Sequence, residues 1–368
     1  MTLIEISNLS ARLQDLSPYF YHHANYFDFN LLLRKILKTE ALCACVVTML
    51  ASKDLKRKRK VFWVEGFLLL CLGILLVYLT DVMFAFGEVK TMNDLFIIFD
   101  EINFVVESQL GKGSFISIFD GEGVDTVFPD HKIVEDNYQV IMEEFLNLQE
   151  SYTVPDMMKV EETQKHFSCS YFKDADGQSM KAYRCSVPSQ WKALQLMMCN
   201  ADVPKTASLM PKTMALIRSC GRVTAAQIGV LMPNTVLPWH RGFHKQHLRY
   251  HLGLSIPEPE KYFMRVIRND YNRTKSYADT LRDTAQEDII ERHWKEGEGF
   301  VLDDMMLHMV ENTGNHPRIV LILDIKRKLP FLSYVLDRIM MYAVQKHEIF
   351  PLFLANAEPH PILMKSDE

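Results

Sequence analysis

The seven cysteines of this 368-residue chain, at positions 43, 45, 71, 169, 185, 199 and 220, include no CxxC pair. That absence removes a zinc-ribbon framework and spells out no disulfide scaffold, so free buried thiols are expected. Cys169 with Cys185 is the pairing an oxidising compartment would favour. An excess of positive charge is missing too: 41 Lys and Arg stand against 46 Asp and Glu, for a formal charge of -5. With no basic stripe interleaved with aromatics either, nucleic acid is excluded as a partner. Gly111, Gly113, Gly121 and Gly123 are scattered and do not open a helix after a strand. They read as turns and not as a phosphate cradle.

Long apolar runs are scarce. The run from Ala41 to Ala51 is too short to cross a bilayer, which takes about 20 residues. One stretch reaches that length, Val61 to Thr80, if Glu65 near one end is accepted. It follows the dense basic block Lys53 to Lys60, and a positive flank before an apolar run reads as a signal anchor with a cytosolic N-terminus. It lies too far from Met1 for a cleaved signal peptide. The expectation is therefore a single-pass membrane protein, with Asn272-Arg273-Thr274 a glycosylation acceptor if the remainder faces a lumen. A buried core helix behind a solvated basic turn is the alternative, and a re-entrant segment would leave the remainder cytosolic.

What is present is apolar material for a sizeable core, 48% of the residues. Asn137 to Gln149 carries Val140, Ile141, Phe145 and Leu148 at helical spacing. Residues 150–190 are polar, with strand-like pieces at Phe167 to Phe172 and Ala182 to Cys185. A short helix, Lys212 to Ser219, precedes a strand from Thr224 to Met232. Further strands are expected at Leu248 to Ile256, Tyr262 to Ile267, Phe300 to Leu302 and Ile319 to Leu323. The charged segment Arg268 to Arg292 reads as an inserted helix or lid. Phe331 to Phe350 reads as a helix on the barrel or on a membrane surface. Short strands punctuated by Gly and Pro turns point to a mainly β fold with flanking helices, a jelly-roll barrel.

Chemistry concentrates between Pro238 and Leu254, which hold four histidines and two arginines. Arg249 and His251 are two apart on an expected strand, so both leave one face, and Gly253 should leave that face open to a ligand. His240 precedes the strand in a loop begun by Pro238 and loosened by Gly242, a place for a metal ligand. A second histidine, His308, follows Asp303-Asp304. Arg318 then opens the apolar run Ile319 to Leu323, and an arginine there needs an anion, such as the carboxylate of a small bound acid. Two histidines on separate strands with an inward arginine suit an Fe(II) and 2-oxoglutarate oxygenase. The alternatives are a salt bridge from Arg318 to Asp324, an Arg249–His251 pair that merely orders the barrel, and an Asp304 that caps a turn instead of orienting His308. His244, His247, His293 and His316 are read as ordinary.

These pieces carry a resemblance. Pro211-Lys212-Thr213, His240 with Gly242, Leu248 to Leu254, Trp294 with Glu296-Gly297, Asp303-Asp304 with His308, Glu311-Asn312, and Arg318 before Asp324 stand in order over about a third of the chain. The run resembles the aspartyl/asparaginyl β-hydroxylase family of 2-oxoglutarate dioxygenases, which includes lipid A acyl-chain hydroxylases. The resemblance implies a double-stranded β-helix, cupin-like, with Fe(II) on His240 and His308. It implies 2-oxoglutarate held by Arg318, assisted by Arg249 and His251, with O2 as the second co-substrate. The carboxylate usual two residues after the first histidine is replaced by Gly242, as in the aspartyl hydroxylase branch, and this favours a peptide over a lipid substrate.

The organisation expected is an N-terminal segment with the basic block (1–60), a transmembrane anchor (61–80), a stem (81–130), the dioxygenase domain (131–330), and a C-terminal helix and tail (331–368). The activity expected is hydroxylation of Asp or Asn at the β-carbon in a protein or peptide partner. Hydroxylation of a lipid acyl chain is the alternative, and an inactive relative serving as a binding module is a third reading.

Overall fold

The chain divides into two compact units, Met1–Val89 and Lys90–Glu368. A computed structural model describes Asn103, Val106 and Leu110 and residues 122–155, 190–242, 244–268, 277–348 and 350–362, all in the second unit. The anchor at 61–80 with its basic block, most of the stem, the pieces at 167–172 and 182–185, Cys169, Cys185 and Asn272 lie outside the described residues. Among the described residues, no helix is long and apolar enough to cross a membrane.

Ahead of the strands lie α1 (Glu122–Val127), α2 (His131–Glu135) and α3 (Tyr138–Ser151). In α3, Ile141, Phe145 and Leu148 are buried on one face, as their helical spacing predicts. There follow β1 (Tyr152–Thr153), β2 (Trp191–Met198), β3 (Ala201–Asp202), α4 (Pro204–Leu209) and α5 (Pro211–Ser219). Pro211 starts α5 without a wasted N–H. Glu144 of α3 accepts from the backbone N–H groups of Lys212 and Thr213, at 2.9 and 2.7 Å, and from the Thr213 hydroxyl. The Pro-Lys-Thr motif therefore docks α5 on α3 by satisfying donors that a helix start leaves open.

The next strands are β4 (Val223–Leu231), β5 (Thr235–His240), β6 (His247–Ser255) and β7 (Tyr262–Ile267). After α6 (Tyr277–Asp283) come β8 (Ile289–His293), β9 (Gly299–Leu302), β10 (His308–Asn312) and β11 (Arg318–Lys326). The chain continues through α7 (Phe331–Lys346) and α8 (Phe350–Asn356) to β12 (His360–Pro361), which pairs with β1. The larger sheet runs β3-β2-β4-β11-β6-β9 and the smaller β5-β10-β7-β8. Strand β4 pairs with β11, β5 with β10, β6 with β9 and β7 with β8, all antiparallel. That nesting is a jelly roll, the fold the turn-punctuated strands predict.

Two apolar cores follow from it. Ile319, Leu321, Leu323 and Ile325 pack outward with helix residues such as Val134, Phe145 and Ile217, while Val320 and Ile322 pack inward with Met264, Trp294 and Phe300. Burial on both faces is why β11 reads as an unbroken apolar run.

Three expectations need correction. The charged segment at 268–292 does hold a helix, α6, but its end enters β8, at the margin of the smaller sheet. Arg265 of β7 faces Glu291 of β8 in register, 2.8 Å apart, so charges there mark a cross-strand pair on an edge. Gly253 does not open a face to a ligand. A Cβ there would overlap the Lys295 carbonyl oxygen and lie 2.9 Å from its carbon, and the Gly297 N–H donates to the Gly253 carbonyl at 2.9 Å. Finally, the single C-terminal helix is two, α7 and α8. Helix α7 buries Leu336, Met340, Met341 and Val344 while exposing Phe331, Tyr334 and Tyr342.

Gly253→Ala should lower unfolding stability on the order of 2 kcal/mol, because a backbone crossing cannot move aside as a side chain can. The urea midpoint measures this, and an unshifted midpoint would show that the 295–297 crossing yields freely.

Candidate active site

Strand β5 ends, and β10 begins, at a histidine. Antiparallel register sets His308 opposite His240, and the ring centroids lie 4.2 Å apart. His308 is buried, with Nδ1 2.8 Å from the Met306 carbonyl. A carbonyl only accepts, so Nδ1 carries the hydrogen and Nε2 presents its lone pair. Burial pushes the His308 pKa down to about 4, leaving a neutral imidazole at pH 7, the form a metal needs.

Asp304, from the β9–β10 loop, places Oδ1 3.5 Å from His308 Nε2 and Oδ2 2.9 Å from Arg249 Nη1. A Cβ at Gly242 would lie 2.6 Å from Asp304 Cγ and 3.0 Å from its Cβ. The acid from the opposite loop thus takes the ground that a side chain at 242 would need. The Gly242 N–H also donates to the Asp304 carbonyl at 2.6 Å. Burial outweighs the Arg249 guanidinium and raises the Asp304 carboxyl above the usual range.

Arg249 lies where the sequence puts it, but its anions belong to the protein. Asp324 is directly across on β11 and accepts from Nε at 2.7 Å and Nη2 at 3.0 Å, and Asp304 takes Nη1. Burial alone would raise the Asp324 carboxyl, but Arg249 beside it holds it below the usual range. Arg249 is therefore a positioning residue that ties Asp304 to the sheet. Asp324, the alternative partner for Arg318, is engaged elsewhere.

Arg318 stands on the inward face of β11 with Val320, Ile322 and Asp324, six residues or about 20 Å of strand from the Arg249 pair. It is 2% exposed. Its guanidinium lies over the Trp294 ring at 4.2 Å, and among the described residues Nε and Nη1 have no hydrogen-bond partner. Burial pushes its pKa down to about 9. His251 is held parallel to Phe300, 5.4 Å between centroids at 9°. Burial first, then Arg318, Arg249 and His308, push its pKa down, so this ring too is neutral.

The loops beside the histidines are clamped together. Lys245 Nζ and Arg327 Nη2 each lie 2.5 Å from Asp303 Oδ2, with Lys245 and Asp303 fully buried. Sequence reasoning missed Lys245 and Arg327, since buried cations look like surface ones in a string. The doubled acid Asp303-Asp304 was the available signal. Two imidazoles with a carboxylate beside them fit ferrous iron, and a buried guanidinium with unmet donors fits the carboxylate of a co-substrate.

A family model described as aspartyl/asparaginyl beta-hydroxylase matches residues 135–328, more than half of the chain. An ornithine lipid ester-linked acyl 2-hydroxylase of Rhizobium tropici is 27% identical over 170 residues, 46% of this chain and 52% of its own. The chain thus spans about half the length of that relative. Among solved structures, the non-heme alpha ketoglutarate dependent carbocyclase SnoK is similar at 15% identity, TM-score 0.27, over 37% of this chain and 63% of its own. AviO1 of Streptomyces viridochromogenes is similar at 12% identity, TM-score 0.34, over 61% of this chain and 96% of its own. At these TM-scores neither structure adds to the argument.

Between its ordinary 6.5 and about 4, His308 binds a proton only in the unfolded chain. Acid therefore favours unfolding in that window, and the metal-free protein should lose on the order of 3 kcal/mol there from His308 alone. Urea unfolding between about pH 7 and pH 4 measures the slope, and His308→Gln should flatten it. Equal slopes in both proteins would mean that His308 is protonated in the folded state.

Proposed function

Because the chain belongs to the aspartyl/asparaginyl β-hydroxylase family, we propose that it is an Fe(II)- and 2-oxoglutarate-dependent dioxygenase, and that its acceptor is an acyl chain of a membrane lipid. The observation that carries the oxygenase reading is the pairing of His240 with the neutral imidazole of His308, beside a buried arginine whose Nε and Nη1 have no partner among the described residues. His240 and His308 would hold the iron, with Asp304 beside them. Iron and 2-oxoglutarate, when bound, supply the oxidative decarboxylation that puts one oxygen atom of O2 into a C–H bond and the other into succinate, with release of CO2.

The protein's part is placement. Arg318, whose Nε and Nη1 have no partner among the described residues, would hold the distal carboxylate of the co-substrate. Trp294 and Phe300 keep water from that end, which strengthens the ion pair formed there. Arg249 restrains Asp304, and the Met306 carbonyl holds His308 in the tautomer that exposes Nε2.

The acyl-chain acceptor departs from the expectation of a peptide. Its support is the lipid-hydroxylating relative, together with the outer face of α7, where Phe331, Tyr334 and Tyr342 are exposed along with Arg338 and Lys346. Aromatic and basic side chains on one helix face suit a lipid headgroup layer. Peptidyl Asp or Asn is the second reading, favoured by Gly242. The membrane anchor at 61–80 remains part of this proposal as the device that would hold the site near its substrate.

Incubation with Fe(II), 2-oxoglutarate and O2 should yield succinate together with a one-oxygen mass gain in a lipid extract. The same gain in a peptide pool would replace the lipid by the peptide reading. His308→Ala should reduce iron-dependent succinate release at least a hundredfold, and undiminished release in that variant would remove His308 as a ligand.

A further inference from the structure

A second set of metal-ligating side chains converges away from the His240–His308 pair, and the hydroxylase reading does not use it. His244 lies in the β5–β6 loop, His247 opens β6 and Asp337 belongs to α7. One ligand atom from each lies within 4.8 Å of the others. All three are nearly out of solvent: the side chains of His244 and Asp337 are 9% and 8% exposed, and His247 is buried.

Hydrogen-bond accounting shows what the cluster lacks. The Thr224 hydroxyl donates its one hydrogen to the Asp324 carbonyl at 3.1 Å. It must therefore accept from His247 Nε2, 3.2 Å away. The His247 hydrogen is thereby fixed on Nε2, and Nδ1 is left with a lone pair. Facing it at 2.7 Å is Nδ1 of His244, the two rings nearly perpendicular at 4.1 Å. On its other side His244 presents Nε2 to Asp337 Oδ1 at 3.5 Å. A neutral His244 has one hydrogen for these two acceptors. Placed toward Asp337, it leaves two lone pairs opposed at 2.7 Å; placed toward His247, it leaves a lone pair against a carboxylate. Either arrangement keeps one repulsive contact in a buried place, where such contacts are least screened.

We propose that His244, His247 and Asp337 form a second metal site, distinct from the His240–His308 pair, for a divalent transition-metal ion of the zinc kind. A cation accepts both imidazole lone pairs and neutralises the carboxylate. Two nitrogens and one oxygen suit such an ion better than calcium or magnesium. Only one His244 nitrogen can bind the ion. With Nδ1 chosen, tetrahedral bonds of about 2.0–2.2 Å require neighbouring ligand atoms roughly 3.3–3.6 Å apart, so the 2.7 Å pair must open by more than half an ångström. Asp337 must turn from Nε2 toward the ion within a set whose ligand atoms lie inside 4.8 Å. The three ligands come from a loop, a strand and a helix. The ion would therefore fasten α7 to the β5–β6 loop, which follows directly on His240 at the end of β5, four residues before His244. Its role is structural, holding one side of the candidate active site in place.

Cobalt(II) bound by the full-length protein, counted after dialysis and followed by its visible absorption, tests the site. Wild type should hold two equivalents, His308→Ala one, and His308→Ala with Asp337→Asn none. In the His308→Ala background, zinc should raise the unfolding temperature, and adding His247→Ala should abolish that rise. Should His247→Ala fail to fold, Asp337→Asn, which keeps the side chain's shape, gives the same reading. The proposal is overturned if His308→Ala binds no cobalt, which would assign an extra proton on His244 in place of the ion. It is equally overturned if the remaining equivalent survives both Asp337→Asn and His247→Ala.

Discussion

A guanidinium taken out of water loses solvation worth several kcal/mol unless an anion takes the place of the water. Arg318 is in that position: it is buried, spread over Trp294, and short of partners at Nε and Nη1 among the described residues. A fold keeps such a group only if other contacts hold the strand in place. Strand β11 is held by β4 on one side and β6 on the other along nearly its whole length. The sheet can therefore carry inward a cation with unmet donors, and on the proposed function that cation would select a ligand with a carboxylate at the matching depth. The proposed chemistry presupposes this standing demand for an anion.

The histidines are set by register. Pairing of β5 with β10 brings His240 and His308 together although 68 positions separate them, and the loop contacts keep them so. Lys245 of the β5–β6 loop, Asp303 of the β9–β10 loop and Arg327 just after β11 form one buried ionic knot beside the strand ends that carry His240 and His308. Removing Asp303 would leave two cations uncompensated in the interior, which is far more damaging than losing a surface pair. Asp304 shows the same economy of placement: with glycine at 242, its carboxylate can sit beside the histidines while Arg249 holds it there.

Much of this was legible in the string. Strand Tyr262–Ile267 falls where alternation puts it and β11 declares itself by its double burial, whereas His240 ends strand β5 and does not lie in the loop expected from Pro238 to Gly242, because its pairing with β10 extends the strand. What stayed hidden depended on partners distant in sequence. Strand β8 was masked by Glu291, whose charge makes sense only opposite Arg265. Gly253 is explained by a backbone crossing some forty residues later, and the meeting of His244 and His247 with Asp337 depends on where α7 lies. Arg249 was placed on the correct face, but periodicity cannot say that two acids already occupy it.

Replacing Arg318 by methionine separates the anion demand from every other property of the site. Without co-substrate, Arg318→Met should be at least as stable as wild type, because an apolar side chain of similar length removes a buried charge whose Nε and Nη1 have no partner among the described residues. With manganese bound and 2-oxoglutarate about a hundredfold above its Kd, wild type should gain about 3 kcal/mol of unfolding stability, and the variant almost none. A variant that is markedly destabilised yet gains as much as wild type from 2-oxoglutarate would contradict the account, for Arg318 would then be a structural cation and the co-substrate would be held elsewhere.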